Sequence, residues 1–326
     1  MSAALVAAWY RGAPWLWLLW PLSWLFMLMA ALRRGLYRAG LRPVWRAPVP
    51  VIVVGNVTVG GTGKTPLTQA LVARLRREGW RPGIVSRGYG GRAVYPLRVT
   101  AQTSPAEVGD EPLSLQLATG APVMVDPRRA RGVAALLAES DCDIVLCDDG
   151  LQHYALARDV EIVVIDGARG LGNGLRLPAG PLREAPARLA EADFVVVNGD
   201  AAAWPGAYAM QLQALPWQPL CRTGITPPAP PSRVHAVAGI GHPERFFAAL
   251  TAAGYEVIAH PFADHHAFTA QDLAFDDGLP VVMTAKDAVK CRAFARENWW
   301  QVPVEAVLPD TFWTALRDTL TRKAPR

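Results

Sequence analysis

The sequence lacks acidic residues at its N-terminal end and contains few cysteines. Within 326 residues, the first Asp or Glu is Glu78, and ten Lys or Arg residues precede it. The four cysteines form no C-x-x-C pair, which disfavours a metal or disulfide framework and fits a reducing compartment. Beyond residue 77, acidic side chains outnumber basic ones by 28 to 23. The basic end therefore predicts contact with an anionic surface, either a membrane or a nucleic acid.

Charge is also missing from residues 13–32, an apolar run that contains four tryptophans. About 20 apolar residues in a helix cover the roughly 30 Å hydrocarbon core of a bilayer. Five arginines follow between Arg33 and Arg46, so the positive-inside rule places the rest of the chain in the cytoplasm. A cleaved signal peptide is disfavoured because its charges would come first. A buried core helix and a helix embedded in one leaflet are the alternatives to a spanning helix.

A glycine-rich loop follows a predicted strand and precedes a predicted helix. The β-branched run 51–54 is typical of a buried parallel strand, and residues 67–75 have the composition of a helix with Pro66 in its first turn. This is the structural setting of a Walker A motif. A glycine turn without a nucleotide is the alternative, which the two flanking elements disfavour.

The chemistry of ATP binding accounts for the loop composition. Backbone N–H groups and a helix N-terminus would hold phosphate oxygens, Lys64 would reach the β- and γ-phosphates, and the Thr65 hydroxyl would bind Mg²⁺. The usual spacing would put a glycine where Thr58 stands, so the loop is a variant. The predicted nucleotide-binding residues are Thr58, Gly60, Gly61, Thr62, Gly63, Lys64 and Thr65.

A second apolar run, residues 144–147, ends in two carboxylates, Asp148 and Asp149. A Walker B strand has this form, and its terminal acid contacts Mg²⁺ directly or through water. An ordinary Asp-Gly turn is the alternative, which the upstream Walker A motif disfavours. Two further features are ambiguous from the residues alone. Asp110 is either a catalytic residue or simply the N-cap of a helix. The adjacent His265 and His266 are either functional or simply solvated residues of a loop.

Taken together, these motifs resemble the tetraacyldisaccharide 4′-kinases, the inner-membrane enzymes of lipid A biosynthesis in Gram-negative bacteria. The resemblance covers about residues 10–315, and Thr58 is normal for that family. It rests on the apolar N-terminal run followed, in order, by motifs at residues 55–56, 60–66, 86–90, 108–112, 148–153, 177–184, 264–266 and 284–287.

The resemblance implies transfer of the ATP γ-phosphate to the 4′-hydroxyl of a tetraacylated glucosamine disaccharide 1-phosphate, with Mg²⁺. It matches Asp110 to the catalytic aspartate and His265 to the histidine that assists it, with His266 as the less favoured alternative. With Lys64, these are the predicted catalytic residues.

The same resemblance matches Asp148 and Asp149 to positions associated with Mg²⁺, together with Thr65. It places Arg183 and Glu184 near the acceptor or the metal. The implied partners are the lipid disaccharide and a membrane surface with anionic lipids, with neither a nucleic acid nor an obligatory protein partner. The implied location is the bacterial inner membrane, with the catalytic domains on its cytoplasmic side.

The fold class predicted from the residues is α/β, because strand-like runs alternate with helical stretches. We expect an N-terminal membrane anchor and basic flank (residues 1–38), a P-loop kinase domain with a mainly parallel sheet (39–228) and a smaller C-terminal α/β domain (229–326). The proline-rich residues 226–231 would link the two domains. The active site is then expected in the cleft between them, assembled by closure.

Two other functions compete with a kinase. A membrane-tethered regulatory NTPase would have no small-molecule acceptor and no need of Asp110 near the γ-phosphate. An ATP-driven transport subunit would carry a Leu-Ser-Gly-Gly-Gln-like signature, which the sequence lacks. A nucleic-acid-binding function is disfavoured because the N-terminal arginines adjoin the uncharged run.

Overall fold

The computed structural model describes residues 3–221 and 224–323 and shows an α/β protein built on two sheets. Short 3₁₀ helices occupy Pro14–Leu19, Pro186–Glu191 and Arg292–Phe294. The α-helices are α1 (Ala3–Arg11), α2 (Trp20–Arg38), α3 (Lys64–Arg77), α4 (Pro105–Val108), α5 (Asp110–Thr119), α6 (Arg129–Glu139), α7 (Pro243–Ala252), α8 (Ala285–Cys291) and α9 (Asp310–Lys323). The strands are β1 (Val51–Gly55), β2 (Pro82–Ser86), β3 (Leu97–Val99), β4 (Val123–Val125), β5 (Ile144–Asp148), β6 (Val160–Asp166), β7 (Phe194–Asn198), β8 (Tyr208–Ala214), β9 (Gln218–Pro219), β10 (Arg233–Ala238), β11 (Glu256–Pro261), β12 (Val281–Thr284), β13 (Trp299–Val302) and β14 (Val304–Val307).

The larger sheet has the strand order β14-β8-β7-β6-β1-β5-β2-β4-β3 and the smaller one β11-β10-β12-β13-β9. Neighbouring strands pair in parallel except at the edges, where β3, β14 and β9 are antiparallel. The predicted α/β class with mainly parallel strands is confirmed. The apolar runs 51–54 and 144–147 of the sequence lie within the observed strands β1 and β5.

The central strand β1 shows why its sequence is continuously apolar. Val51 and Val53 pack into one hydrophobic cluster with α6, while Ile52 and Val54 pack into another with α3, α5 and α9. A parallel strand covered by helices on both faces buries every side chain, so no polar alternation appears in its sequence. The larger sheet is therefore the middle layer of three, with helices on both of its faces.

Sheet membership does not follow the domain bounds expected from the sequence. Strand β9 joins the smaller sheet although it precedes the prolines at 226–231, and β14 and α9 return to the larger sheet. Residues 218–302 therefore form the smaller unit, which contains the smaller sheet. The residues before 218 that build the larger sheet, together with 304–323, form the larger unit. The bounds 39–228 and 229–326 stay a prediction, because the proline run marks a connection and says nothing about a later return of the chain.

The N-terminal segment packs along one side of the larger unit. Among residues 3–221 and 224–323, Pro14–Arg38 is the one helical segment long and apolar enough to cross a membrane, and 11% of its most apolar window is buried. On the packed side, the Trp9 indole donates to the Pro178 carbonyl over 2.9 Å, and the Ser23 hydroxyl donates to the Arg176 carbonyl over 3.0 Å. The opposite side presents large apolar side chains to the exterior.

Replacing Phe312 of α9 by alanine should lower the free energy of unfolding by about 3–5 kcal/mol, because truncating a buried aromatic leaves a cavity. Phe312 is fully buried and meets Phe194 and Tyr208 edge-on. Urea unfolding followed by tryptophan fluorescence measures the change. The control is Arg317→Ala on the exposed side of α9, expected to stay within about 0.5 kcal/mol of the parent. An equally small loss for Phe312→Ala would show that α9 does not close the core.

Candidate active site

The loop between β1 and α3 has the backbone shape that the Walker A motif requires. Gly63 precedes Lys64, the first residue of α3, and has a φ of +100°. A Cβ at Gly63 would lie 2.9 Å from the Asn198 side chain, whose amide donates to the Thr62 carbonyl over 3.3 Å. Glycine is therefore required here by both conformation and space. The loop leads directly into the N-terminus of a 14-residue helix, where N–H groups are free to meet an anion.

Asp148 and Asp149 lie beside this loop because β5 pairs in parallel with β1. The carboxyl ends of parallel neighbours meet at one edge of the sheet, so residues following both strands converge there. The Asp149 carboxylate lies 3.6 Å from the Lys64 ammonium and accepts two hydrogen bonds from Arg183, at 3.0 and 3.1 Å. Burial alone would raise the pKa of Asp149, but Lys64 and Arg183 outweigh it and hold this pKa well below its usual range.

Asp148 is in a different electrostatic position from its neighbour. Its side chain is buried, and neither carboxyl oxygen has a hydrogen-bond partner among the described residues. Burial, reinforced by the nearby Glu111, raises the pKa of Asp148 to about 7 in spite of Lys64. An orphaned carboxylate beside a phosphate loop is a suitable ligand for a hard cation.

Asp110 begins α5, and the loop before it explains how it is placed. Gly109 has a φ of +86°, and a Cβ there would lie 2.4 Å from the Tyr89 carbonyl. The residues 86–90 and 108–112 identified in the sequence are thus pressed together, which requires the glycine. The Asp110 carboxyl group is buried at 6% exposure and faces the smaller sheet.

His265 reaches Asp110 from the connection between β11 and β12 of the smaller sheet. Its Nδ1 lies 3.0 and 3.1 Å from the two carboxylate oxygens, so the imidazole donates to Asp110. The adjacent His266 instead contacts Asp272, at 3.3 Å. The hydrogen bond with Asp110 raises the pKa of His265. Burial raises the pKa of Asp110, but His265 and the ammonium of Lys286 outweigh it and lower this pKa to about 2.

Glu184 is the predicted substrate residue whose side chain is most engaged by the protein itself. Its carboxylate accepts from the Gln152 amide at 2.8 Å and from the Tyr154 hydroxyl at 3.1 Å, and Arg188 lies 3.4 Å away. These contacts tie Glu184 to the segment after Asp149. Arg183, in contrast, faces Asp149 directly.

One cleft of about 2460 Å³ is lined by residues from most of these parts, among them Lys64, Asp149, Arg183, Glu184 and His265. The phosphate loop, both sheet units and the helix α2 border it, and the apolar side chains of Phe26 and Met29 continue its wall away from the charged centre. Lys286, which pairs with acids on both sides of the cleft, was not among the residues selected from the sequence. Lys286 belongs to the 284–287 motif. A lysine in the first turn of a helix is unfavourable, and this could have drawn attention to it in the sequence.

Comparison with known proteins identifies the family. A model described as tetraacyldisaccharide-1-P 4′-kinase matches residues 15–321. The chain belongs to that family. The curated tetraacyldisaccharide 4′-kinase from Ectopseudomonas mendocina (strain ymp) is 52% identical to this chain, and the match covers 100% of this chain and 99% of the relative. The one from Shewanella amazonensis (strain SB2B) is 51% identical, and the match covers 97% of this chain and 95% of the relative.

A solved structure has the same overall fold. The crystal structure of the "apo" form of LpxK from Aquifex aeolicus in complex with ATP superposes with a TM-score of 0.77 at 25% identity, covering 92% of this chain and 98% of that one. The fold of this family member therefore agrees with that of an ATP-bound relative.

Replacing Asp148 by asparagine should stabilise the metal-free protein more at pH 8 than at pH 5. The folded-state pKa of about 7 exceeds the unfolded value of about 4, so the folded protein loses stability as pH rises between these values. At about 1.4 kcal/mol per pKa unit, the neutral amide removes a cost of up to about 4 kcal/mol at pH 8. Thermal unfolding with a chelator at both pH values measures the effect.

The matched control for that experiment is Asp143→Asn at the start of the same strand region, where the carboxylate pairs with Arg81 at the surface. It reports the effect of losing one negative charge without relieving a buried one. A melting temperature for Asp148→Asn that changes equally at both pH values would contradict the assignment of a buried, costly carboxylate.

Proposed function

We propose that this protein is an ATP-dependent lipid kinase that phosphorylates the 4′-hydroxyl of a tetraacylated glucosamine disaccharide 1-phosphate in lipid A biosynthesis. Family membership supports this activity. The observation that carries it is that Lys64 of the phosphate loop lines the same cleft as His265, whose imidazole lies 3.0 Å from the Asp110 carboxylate. A regulatory NTPase without an acceptor is not favoured, because the relatives that match this chain over nearly their full length are 4′-kinases.

In the proposed reaction, Asp110 orients the acceptor hydroxyl and takes its proton. A carboxylate with a pKa of about 2 is ionised throughout the physiological range, so it is always available as a hydrogen-bond acceptor. Its weak basicity is acceptable because the transition state of phosphoryl transfer is loose and the proton moves late. His265 holds the carboxylate in position through its Nδ1–H. Lys64 neutralises charge that develops on the transferred phosphoryl group.

We assign Mg²⁺ to Asp148 and Thr65, with Asp149 nearby. The orphaned oxygens of Asp148 favour it over Asp149, whose oxygens are already paired with Arg183. No group of three His, Cys, Asp or Glu side chains suited to a metal occurs in the described part of the chain, and Mg²⁺ at phosphate sites commonly takes only one or two carboxylates. When bound, the ion would neutralise phosphate charge.

We infer that the N-terminal helix lies in one leaflet of the bacterial inner membrane, with the cleft on the cytoplasmic side. Ser23 contacts the larger unit near one end of α2, and Arg34 and Arg38 pair with Glu191 at the other. These contacts extend over about 22 Å of helix at 1.5 Å per residue. A helix crossing the bilayer would carry Arg176, which contacts Ser23 in the apolar run, into hydrocarbon, whereas a helix lying flat keeps it near water.

The activity is tested by incubating the purified protein with radiolabelled ATP, Mg²⁺ and the disaccharide 1-phosphate in detergent micelles. We expect label on the lipid at the 4′ position. Hydrolysis of ATP with no labelled lipid would refute the kinase in favour of a regulatory NTPase.

Replacing Asp110 by asparagine should lower kcat by at least about 100-fold, because the amide cannot accept the hydroxyl proton. ATP binding should persist, since the phosphate loop is untouched. Steady-state kinetics on the lipid acceptor and ATP titration measure the two effects. The exposed Asp276→Asn is the matched control and should retain parental turnover. Turnover of Asp110→Asn within threefold of the parent would exclude Asp110 as the base.

Replacing Leu18, Leu25 and Leu28 together by serine should abolish vesicle binding while the fold is kept. These leucines are 81%, 54% and 66% exposed, so their change removes no internal packing. Each would lose about 1.5–3 kcal/mol of apolar burial in lipid. Flotation with vesicles containing anionic lipids measures binding, with the double variant of the exposed Val94 and Leu215 to serine as control. Undiminished flotation of the triple variant would exclude this surface as the membrane contact.

A further inference from the structure

Lys286 makes contacts on both sides of the cleft. Its ammonium lies 3.0 Å from Asp264 of the smaller unit, and 3.4 and 3.9 Å from Glu111 and Asp110 at the start of α5 in the larger unit. Three carboxylates from two structural units thus converge on one cation. Lys290, one helical turn further on, is 2.7 Å from Asp287 of its own helix and 3.9 Å from Asp110, but in the described part of the chain it contacts no carboxylate of the connection that carries Asp264.

The position of Lys286 is unfavourable for the helix that carries it. It occupies the first turn of α8, where the exposed N–H groups make a cation unfavourable and an anion favourable. Its side chain is also largely buried, at 23% exposure, which costs a lysine hydration. Local preference and tertiary placement therefore conflict at this residue, and such conflicts concentrate at functional sites.

We propose that Lys286 is a positioning residue for phosphoryl transfer: from the smaller unit, it holds the Asp110 carboxylate ionised and aligned with His265 when the cleft is closed. This inference rests on the proposed function, because it assigns Lys286 a part in the same reaction. Lys286 acts through Asp110 and does not itself exchange a proton.

The geometry explains why a cation is needed at this point. Asp110 and Glu111 are adjacent in sequence, and the Lys286 ammonium lies within 3.9 Å of both and of Asp264. Without a cation at this point, three negative charges would lie close together. A single cation between them turns this repulsion into attraction between α5 and α8, which pack against each other. Closure and correct ionisation of Asp110 are therefore coupled through Lys286.

The charged and titratable groups around Asp110 act in defined directions. Lys286 lowers the pKa of Asp110 by attraction and the pKa of His265 by repulsion. Removing this cation raises both values, so a pH limb due to either group must move to higher pH. The groups facing the pair are Glu111 from α5, Tyr89 from the loop after β2, Asp264 from the loop after β11, and Lys286 and Lys290 from α8.

The test compares Lys286→Met with Lys286→Arg in the full chain, using the lipid kinase assay from pH 5 to pH 9. For Lys286→Met we expect kcat to fall at least tenfold and the limb of the pH profile that lies between pH 5 and pH 9 to move to higher pH, with KM for ATP within threefold of the parent. Lys286→Arg should restore kcat to within threefold of the parent. It should also return the limb of the pH profile to within a few tenths of a pH unit of the parent.

The matched control is Arg292→Met, which removes a positive charge from an exposed position just beyond α8. It should leave the pH profile unchanged. ATP binding and the melting temperature of each variant confirm that it is folded before its kinetics are compared. If Lys286→Met does not fold, Lys286→Gln takes its place with the same expected shift.

A double-mutant cycle shows whether Lys286 acts through Asp110. In the Asp110→Asn background, Lys286→Met should cost less than threefold in the residual rate, because the group it serves is already gone. An unshifted limb between pH 5 and pH 9, or a full tenfold loss in the Asp110→Asn background, would overturn the proposal and leave Lys286 as a structural cross-link. Absence of lipid phosphorylation by the parent protein would instead refute the proposed function, so the two failures are distinct.

Discussion

The contact between Asp110 and His265 joins two parts of the chain separated by 155 residues, and the site is arranged around it. One partner begins a helix on the larger sheet, and the other belongs to a connection on the smaller sheet. The Asp110 carboxylate is buried, and a buried charge is stable only when it is paired and hydrogen-bonded. The imidazole, together with the ammonium groups of Lys286 and Lys290, satisfies that condition. The two sheets must therefore meet for Asp110 to be tolerated.

Backbone strain is concentrated at the same cleft. Of the residues that the structure describes, the two non-glycine residues with positive φ are Asp149 and His265, at 47° and 62°. Such conformations cost about 1–3 kcal/mol and persist where surrounding contacts over-determine them. Arg183 fixes Asp149, and Asp110 fixes His265. The strained backbone thus directs the Asp149 side chain toward Lys64 of the phosphate loop and the His265 side chain toward Asp110.

The phosphate loop packs against the apolar N-terminal segment. Val59, next to the glycines of the loop, packs against the cluster formed by Trp9 and Leu16. The apolar wall of the cleft runs along α2 toward the surface proposed to meet lipid. An acyl chain and a nucleotide phosphate can therefore approach one cavity from opposite ends. Holding enzyme and lipid on the same surface also raises their effective concentration.

The amino-acid sequence determined those features that depend on neighbouring residues. The β-branched run 51–54, the glycines before Lys64 and the apolar residues 13–32 act through local conformation and hydrophobicity, so the α/β class, the phosphate loop and the apolar helix were predictable. The family motifs further pointed to Asp110 and His265. Tertiary structure decided the rest. Which histidine meets Asp110, the return of α9 to the larger sheet and the bridging place of Lys286 depend on long-range packing, whose partners no local pattern specifies.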